Sequence, residues 1–271
     1  MSATVTAIPR PVASRTPGHM ARIFANEARF EFLKLARLPI YAISTIMFPV
    51  MFYVLFGLML NRGQELSRVL VSAYLLASYG TFGVMGASLF GFGVGLAGER
   101  GLGWLQVKQA SPMPPFAYFF AKTVVCMTFS LIIVLILVTL GFLFGGVHLL
   151  PLQVVQLGAT LVAGSITFCA MGMAIGYFAG PSSAPAIVNL IYLPLSFASG
   201  LWIPIQALPS FFQKIAPFLP PFHLGQLALS TIGAETRGSN LGHWEALAAF
   251  TLICLGIARL GYQRDEGKSY G

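Results

Sequence analysis

Charged residues are scarce in this sequence. Of its 271 residues, 9% are Asp, Glu, Lys or Arg and 56% are hydrophobic, and the mean hydropathy is +0.80. A soluble globule of this length needs far more polar surface than this composition supplies. The composition therefore excludes a soluble protein and predicts one that lies in a membrane.

Acidic residues are especially few, and none falls in the middle of a long apolar run. The eight Asp and Glu residues lie in loops, at the chain ends or in one amphipathic segment, and the single aspartate is Asp265. Proton- and cation-coupled carriers usually place a carboxylate near the middle of the bilayer. An ion- or proton-coupled secondary carrier stays open as an alternative function, although the sequence shows neither that carboxylate nor an inverted repeat.

Patterns for catalysis and for metal or cofactor binding are missing as well. The sequence contains no GxxxxGK[ST], no HExxH and no GxSxG. A GxGxxG pattern at Gly93–Gly98 closes an apolar run instead of following a strand, so it does not predict a dinucleotide site. The cysteines and histidines have no metal-like spacing and are Cys126, Cys169, Cys254, His19, His148, His223 and His243. We expect no catalysis, no metal and no cofactor in this chain.

Six apolar stretches are long enough to span a membrane, because about 20 helical residues cross the hydrocarbon core. The sequence therefore predicts an all-α polytopic membrane protein, with a transmembrane domain at residues 38–263. The six predicted spans are approximately 38–60, 69–97, 117–144, 152–179, 184–203 and 242–262.

The parts outside the spans are short. Residues 1–18, rich in Pro, Ser, Thr and Ala, predict a disordered tail, and residues 264–271 form a second tail. Residues 19–37 are too charged to cross the bilayer, but their pattern is typical of an amphipathic interfacial helix. The charged residues of this helix are Arg22, Glu27, Arg29, Glu31, Lys34 and Arg37.

The basic residues give a net charge of +8. They flank apolar segments instead of interleaving with aromatic residues on a soluble face, which indicates contact with anionic membrane lipids and not with nucleic acid. Most of the Lys and Arg residues fall on one side of the six-span arrangement. By the positive-inside rule, both termini and the loop after span two face the cytoplasm, and we expect a bacterial cytoplasmic membrane.

The segment from Gly200 to about Gly233 is interrupted every few residues by a proline. Broken helices at membrane depth occur only where protein or a cavity covers the backbone. We therefore predict an extracytoplasmic re-entrant hairpin between spans five and six, whose first part contains Ser199, Gly200, Pro204 and Pro209. A loop that lies on the outer leaflet is the alternative.

Polar side chains inside the spans are few. Asn189, Tyr192 and Ser196 are spaced by three and four residues along span five, so they share one face of a helix. This face is a candidate translocation path, although hydrogen bonds to helix backbones explain the same residues. A path with so little charge indicates a largely apolar or amphiphilic passenger.

A short charged island separates spans two and three. Its residues lie between two long apolar runs, in a loop too short to form a domain, and include Glu99, Arg100, Gly101, Gly103, Trp104 and Leu105. The island predicts a docking surface for a separate soluble protein. Ordinary anchoring of a basic residue at a helix end is the alternative.

The order of these pieces resembles the type-2 ABC exporter permeases over nearly residues 20 to 263. Two groups of residues are similar to that family's patterns after the second span and at the end of the fifth: Glu99-Arg100, Gly103, Leu105, Ser111-Pro112 and Ala121-Lys122; then Pro194, Ser199-Gly200, Pro204 and Leu208-Pro209. Trp104 and Gln106 depart from the first pattern, because the family often has Thr or Ser at one position and an acid at the other.

The resemblance implies a transport subunit and not an enzyme. Such permeases form a homodimer or a pair of six-span subunits, with two ATP-binding subunits that carry ATP and Mg on the cytoplasmic side. In this chain the island from Glu99 to Leu105 would be the coupling element, and residues 20–37 would brace the same surface. The implied substrate is a drug, a lipid or a lipid-linked glycan that leaves the cytoplasm. A non-transporting membrane assembly factor remains the other alternative.

Overall fold

The computed structural model describes residues 17–60, 63–66, 69–110 and 114–266. This part of the chain is almost entirely helical, apart from one antiparallel two-stranded hairpin of Glu65–Leu66 (β1) and Val69–Leu70 (β2). The predicted tail at 1–18 lies outside the described residues except for its last two, which begin the first helix. In chain order, the helices are α1 (Pro17–Ala36), α2 (Pro39–Phe52), α3 (Val71–Ser88), α4 (Gly95–Gly101), α5 (Trp104–Ala110), α6 (Pro115–Phe144), α7 (Pro151–Phe178), α8 (Ala184–Ala198), α9 (Ser210–Ile215), α10 (Pro220–Thr231) and α11 (Asn240–Glu266).

Among the described residues, five helical stretches are long and apolar enough to cross a membrane. A π-helical segment, Tyr53–Leu60, continues α2, and a second one, Leu89–Val94, joins α3 to α4 into one rod. These findings confirm the prediction of an all-α polytopic membrane protein. The five stretches are Tyr41–Leu60, Val71–Gly101, Phe116–Phe144, Pro151–Phe178 and Asn240–Asp265.

Helix α8 is apolar but shorter than the other candidate spans. It has 15 residues, whereas a perpendicular crossing takes about 20. It ends at Ala198 and not at residue 203, because Gly200 turns to a φ of 78°. The amides of Gly200 and Leu201 then bond to the carbonyls of Phe197 and Ser196 at 3.0 and 3.2 Å, which is a Schellman cap. The sixth crossing stays a prediction.

The rod formed by α3, Leu89–Val94 and α4 lies at the centre of the molecule. Nearly every residue of α3 is buried, and small residues let several neighbours approach it at once. A Cβ on Gly80 would lie 3.0 Å from Leu161 of α7, and one on Gly83 would lie 2.7 Å from Ile133 of α6. The glycines of the central rod therefore serve packing inside one chain.

The segment between α8 and α11 is broken into short helical pieces. Pro204 precedes a 3₁₀ turn at Ile205–Ala207, and Pro209 precedes α9. Each proline is the N-cap residue directly before its helix, where its fixed φ fits the extended entry of the chain. Ser199 at the start of the segment is buried, and α10 packs against α3, α7 and α11. Whether this segment enters the membrane stays a prediction.

Helix α1 packs along α6. The rings of Phe24 and Phe120 meet edge to face, with their centroids 5.2 Å apart, and Leu35 is buried. The basic residues that point away from the bundle are Arg22, Arg29 and Arg37.

We expect Gly172→Val to destabilise the permease by about 2 kcal/mol, because overpacked cores lose that much. A Cβ on Gly172 would lie 3.1 Å from the backbone N of Gly93 and from the backbone O of Ser88, and backbone atoms cannot move aside easily. Melting temperature in detergent measures the effect. The matched control is Gly158→Val on the same helix, where a Cβ meets nothing within 4 Å. Equal melting temperatures for the two variants would contradict this packing.

Candidate functional site

The predicted charged island is a helical hairpin formed by α4 and α5. The chain turns at Leu102 and Gly103, where Gly103 has a φ of 73°, a conformation that other residues rarely adopt. The amide of Gly103 bonds to the carbonyl of Arg100 at 3.1 Å, which closes the turn. This α4–α5 hairpin, Gly95–Ala110, has one face toward the bundle and one face toward solvent.

Glu99 is directed toward the bundle. One of its oxygens accepts hydrogen bonds from Lys34 of α1 and, at 3.0 Å, from Lys122 of α6. The other accepts a hydrogen bond from the Tyr118 hydroxyl. The carboxylate thus joins three helices that are far apart in sequence.

Lys122 and Glu31 complete what we call the charge cluster: Glu31, Lys34, Glu99 and Lys122. The Lys122 side chain is 1% exposed and donates to Glu31 at 2.7 Å, and Lys34 donates to Glu31 at 2.6 Å. Two carboxylates balance two ammonium groups, which is what burial of charge requires.

Electrostatics keep Glu31 ionised inside this cluster. Burial raises the pKa of Glu31, but the ammonium groups of Lys122 and Lys34 outweigh burial and the repulsion from Glu99, so its pKa lies below the ordinary value. The stabilisation from ionised Glu31 is therefore complete above the ordinary carboxyl pKa. It is lost as the pH falls through the lowered pKa.

Arg100 is bound on the other side of the hairpin. Its Nε and Nη2 donate to the two carboxylate oxygens of Asp265 at 2.9 and 2.6 Å, and its Nη1 donates to the carbonyl of Gly176 at 2.7 Å. The guanidinium also lies 5.4 Å from the centroid of the Tyr177 ring. Bidentate geometry makes this the strong form of an ion pair, and it ties α4 to the ends of α7 and α11.

A third ion pair holds α5. Lys108 donates to Glu27 of α1 at 2.6 Å, and its ammonium lies 4.5 Å from the centroid of the Tyr118 ring. Glu99, Arg100 and Lys108 therefore all bind groups of this chain. The charges of the hairpin fasten it to the bundle.

The solvent face of the hairpin is apolar. Leu102, Trp104 and Val107 are 76%, 55% and 62% exposed, and we call these three side chains the apolar tip. Leu105, by contrast, is buried among the aromatic residues of α6 and α7. Gly101 faces Pro181, because a Cβ there would lie 2.0 Å from the proline ring. Clustered exposed apolar side chains outside the spans are typical of an interaction surface.

Of the predicted coupling residues, the structure thus turns Glu99, Arg100 and Leu105 inward and Trp104 outward. Sequence reasoning placed Leu102 inside the coupling island without singling it out, and it did not select Val107, Tyr118, Lys122 or Asp265 as functional. Lys122 carried a usable signal, since a lysine inside an apolar run needs a buried partner or a route to the interface. The pairing of Arg100 with Asp265 carried none.

A cavity of about 540 Å³ lies between α2, α3 and α8. Asn189 and Tyr192, two of the three residues proposed for a path, contribute to its wall. The Tyr192 hydroxyl donates to the carbonyl of Phe82 at 3.1 Å, whereas the third residue, Ser196, is buried and bonds the carbonyl of Leu193. The residues around the cavity are Leu38, Tyr41, Ser44, Thr45, Phe48, Gly86, Phe90, Asn189 and Tyr192.

Comparison with known proteins decides the class of this chain. The family model described as ABC-2 type transporter matches residues 27–232. The chain belongs to the ABC-2 type transporter family. It is also similar to the Bacillus subtilis (strain 168) protein named "Putative transport permease YvfS", with 26% identity over 220 residues that cover 81% of this chain and 89% of that protein.

Membership of this family confirms the resemblance drawn from the charged island and the outer prolines. The chain is an integral membrane transport permease, and permeases of this family generally pair with an ATP-binding subunit. Within the described ranges, no group of three or more His, Cys, Asp or Glu side chains could hold a metal ion.

We expect Lys122→Met to destabilise the permease by about 3 to 5 kcal/mol, because it leaves two carboxylates facing each other in a buried site. Lys34→Met is the matched control. The Lys34 side chain is 42% exposed, so its loss should cost at most about 1 kcal/mol. Melting temperature of the purified permease measures both effects.

A triple variant keeps this test decisive if Lys122→Met does not fold. Combining Lys122→Met with Glu31→Gln and Glu99→Gln removes the buried charge imbalance and should restore folded protein. Equal losses for Lys122→Met and Lys34→Met would contradict the charge cluster.

Proposed function

We propose that this permease is the membrane subunit of an ATP-driven exporter in a bacterial cytoplasmic membrane. Two copies would pair, each with six crossings, and two ATP-binding subunits with ATP and Mg would dock on the cytoplasmic side. The observation that carries the proposal is the α4–α5 hairpin, whose charged face binds the bundle and whose apolar tip is exposed. A hairpin built in this way can transmit movement of a docked partner to the spans, and does not merely anchor a helix.

The apolar tip is evidence for docking of a soluble partner. Leu102, Trp104 and Val107 lie in the hairpin between two candidate spans, so a second protein can reach them. Burial of aromatic and aliphatic anchors supplies most of the energy in many interfaces. The sequence contains no P-loop, so the energy for transport comes from such a partner.

The distribution of basic residues supports a cytoplasmic position for the hairpin. Lys34, Arg100, Lys108 and Arg264 all lie near this end of the bundle, and the described part of the outer segment has only Lys214 and Arg237. An excess of Lys and Arg marks the cytoplasmic side of membrane proteins. This is the side on which ATP is available.

The charge cluster supports coupling between the hairpin and the spans. Glu99 binds α1 and α6, and Arg100 binds the ends of α7 and α11. A force on the hairpin therefore reaches four helices through ion pairs and a hydrogen bond to the Gly176 carbonyl, instead of through a flexible loop. Rigid-body movement of packed helices is a common route for such transitions.

The cavity between α2, α3 and α8 supports an apolar or amphiphilic substrate. Its walls are mainly aromatic and aliphatic, with hydroxyl and amide groups from Ser44, Thr45 and Asn189. No charged side chain is among the described residues that form it. Drugs, lipids and the lipid part of a lipid-linked glycan fit this chemistry.

The exposed face of α2 is evidence for pairing of two copies as a homodimer. Ile43, Met47 and Met51 are exposed at every fourth residue, next to exposed Ser44 and Asn189 at the mouth of the cavity. The Asn189 amide makes no hydrogen bond within the described part of the chain, and such a group is costly against lipid. A second copy placed here would cover Asn189 and close the cavity.

The docking proposal is tested with the double variant Leu102→Asp/Trp104→Asp. Both side chains are exposed, so folding should be unchanged, but acids at an apolar contact should weaken binding of the ATP-binding subunit at least about tenfold. Affinity is measured between purified permease and its ATP-binding subunit, and ATP hydrolysis is measured in proteoliposomes.

Leu241→Asp is the control for this experiment. Leu241 is 69% exposed at the opposite end of the molecule, so this change should leave affinity and hydrolysis intact. An unchanged affinity of the Leu102→Asp/Trp104→Asp variant would show that the partner docks elsewhere.

The dimer proposal predicts that Met47→Cys cross-links two copies. The background is Cys254→Ser, because Cys126 and Cys169 are buried, and the reagent is a short bis-maleimide applied to membranes. Leu252→Cys on α11 is the control, since Leu252 is 70% exposed on a wholly different face. If only the Leu252→Cys variant gives cross-linked dimers, the interface lies at α11 instead of α2. If neither variant gives them, the result contradicts the proposed dimer.

A further inference from the structure

Two histidines meet at the end of the bundle opposite the α4–α5 hairpin. His223 is in the first turn of α10 and His243 is in the first turn of α11, and their Nδ1 atoms are 2.9 Å apart. His243 is 5% exposed, and the ring of Phe222 lies beside both imidazoles. Neither residue takes part in the docking surface or the cavity.

The other nitrogen of each ring faces a backbone carbonyl. His223 Nε2 lies 3.0 Å from the oxygen of Pro217, and His243 Nε2 lies 2.7 Å from the oxygen of Arg237. A carbonyl oxygen can only accept, so each Nε2 must carry a hydrogen and donate it. A neutral imidazole has one such hydrogen, which leaves both Nδ1 atoms without one.

A proton count follows from these contacts. Two bare Nδ1 atoms would bring two lone pairs together at 2.9 Å, which is repulsive. One additional proton turns the same contact into an N–H···N hydrogen bond assisted by charge. The pair therefore satisfies all of its contacts when it carries three N–H protons and a charge of +1. With two protons both Nδ1 atoms are bare, and with four both carry a hydrogen, so in either case the Nδ1–Nδ1 contact is repulsive.

The surroundings favour one extra proton over two. Burial, and then repulsion from His243, lower the pKa of His223, whereas the hydrogen bond to Pro217 raises it. Burial opposes every added proton, but a fourth proton would also place two imidazolium cations in contact, so it is opposed more strongly than the third. The charged groups on the neighbouring elements are Lys214, Glu235, Arg237 and Glu245. All four of these residues are exposed, and the Arg237 guanidinium donates to Gln213 Oε1 at 3.2 Å.

We propose that His223 and His243 form a proton-binding site whose single shared proton fastens α10 to α11. His223 also holds the turn before α10 through Pro217, and His243 holds the segment before α11 through Arg237, so the shared proton connects the two halves of the outer segment. Loss of this proton at high pH, or gain of a fourth at low pH, releases α10 from α11. The positive-inside orientation puts the site outside the cell, where it would respond to external pH. The proton count itself does not depend on the transport function.

The experiment follows hydrogen–deuterium exchange at the C2 carbon of each histidine by mass spectrometry, across pH, with the full permease in nanodiscs. Because the chain has four histidines, His19 and His148 serve as internal references. His223 and His243 should titrate as a coupled pair, in two steps more than about one pH unit apart.

Two variants make the result decisive. His243→Gln should convert the titration of His223 to a single step, and His223→Gln should do the same for His243. In the same samples, amide exchange of residues 217–243 should be about tenfold slower for the wild type than for either variant, but only between its two titration steps. The proposal is wrong if all four histidines titrate alike in the wild type. It is also wrong if His243→Gln leaves the titration of His223 unchanged and His223→Gln leaves that of His243 unchanged. Melting temperature above the upper titration step reports whether each variant folds.

Discussion

The burial of Lys122 constrains the whole hairpin end of the bundle. An ammonium group with 1% exposure cannot remain charged without close carboxylates, because desolvation costs several kcal/mol for each ion. The two carboxylates come from α1 and α4, so both helices must pack against α6 for the site to be neutral. The placement of α1 and the inward direction of Glu99 both follow from this one requirement.

Two kinds of contact therefore stabilise this permease: close packing at small residues and ion pairs. Small residues along the central rod let α2, α6, α7 and α8 approach it closely, which fixes the bundle through shape. Ion pairs then fix the hairpin and α1 to the end of that bundle, and these contacts depend on charge balance. A substitution at a packing glycine and a substitution at a charged residue of the hairpin therefore both affect the central rod, the first along its length and the second at its end.

The long elements could be predicted from sequence because length and hydropathy determine them locally. Five apolar stretches are helices within a few residues of the predicted bounds, and the position of the charged island is that of the α4–α5 hairpin. The end of α8 was missed, since the cap at Gly200 outweighs the hydrophobicity of Leu201 and Trp202.

The directions of the side chains could not be predicted in the same way. Glu99 lies 65 residues from Lys34, and Arg100 lies 165 residues from Asp265, so no local spacing indicates these pairs. The same is true of His223 and His243, which the sequence shows only as scattered histidines. In each case the decisive contact joins two helices whose relative position depends on the packing of the rest.

The division of the hairpin into two faces separates stability from recognition. Glu99, Arg100 and Lys108 bind the bundle from the inner face, whereas Trp104 is 55% exposed on the outer face. Substitutions at the tip can therefore accumulate over evolution without loss of folded protein. The binding specificity of the hairpin can thus change while its position in the bundle is kept.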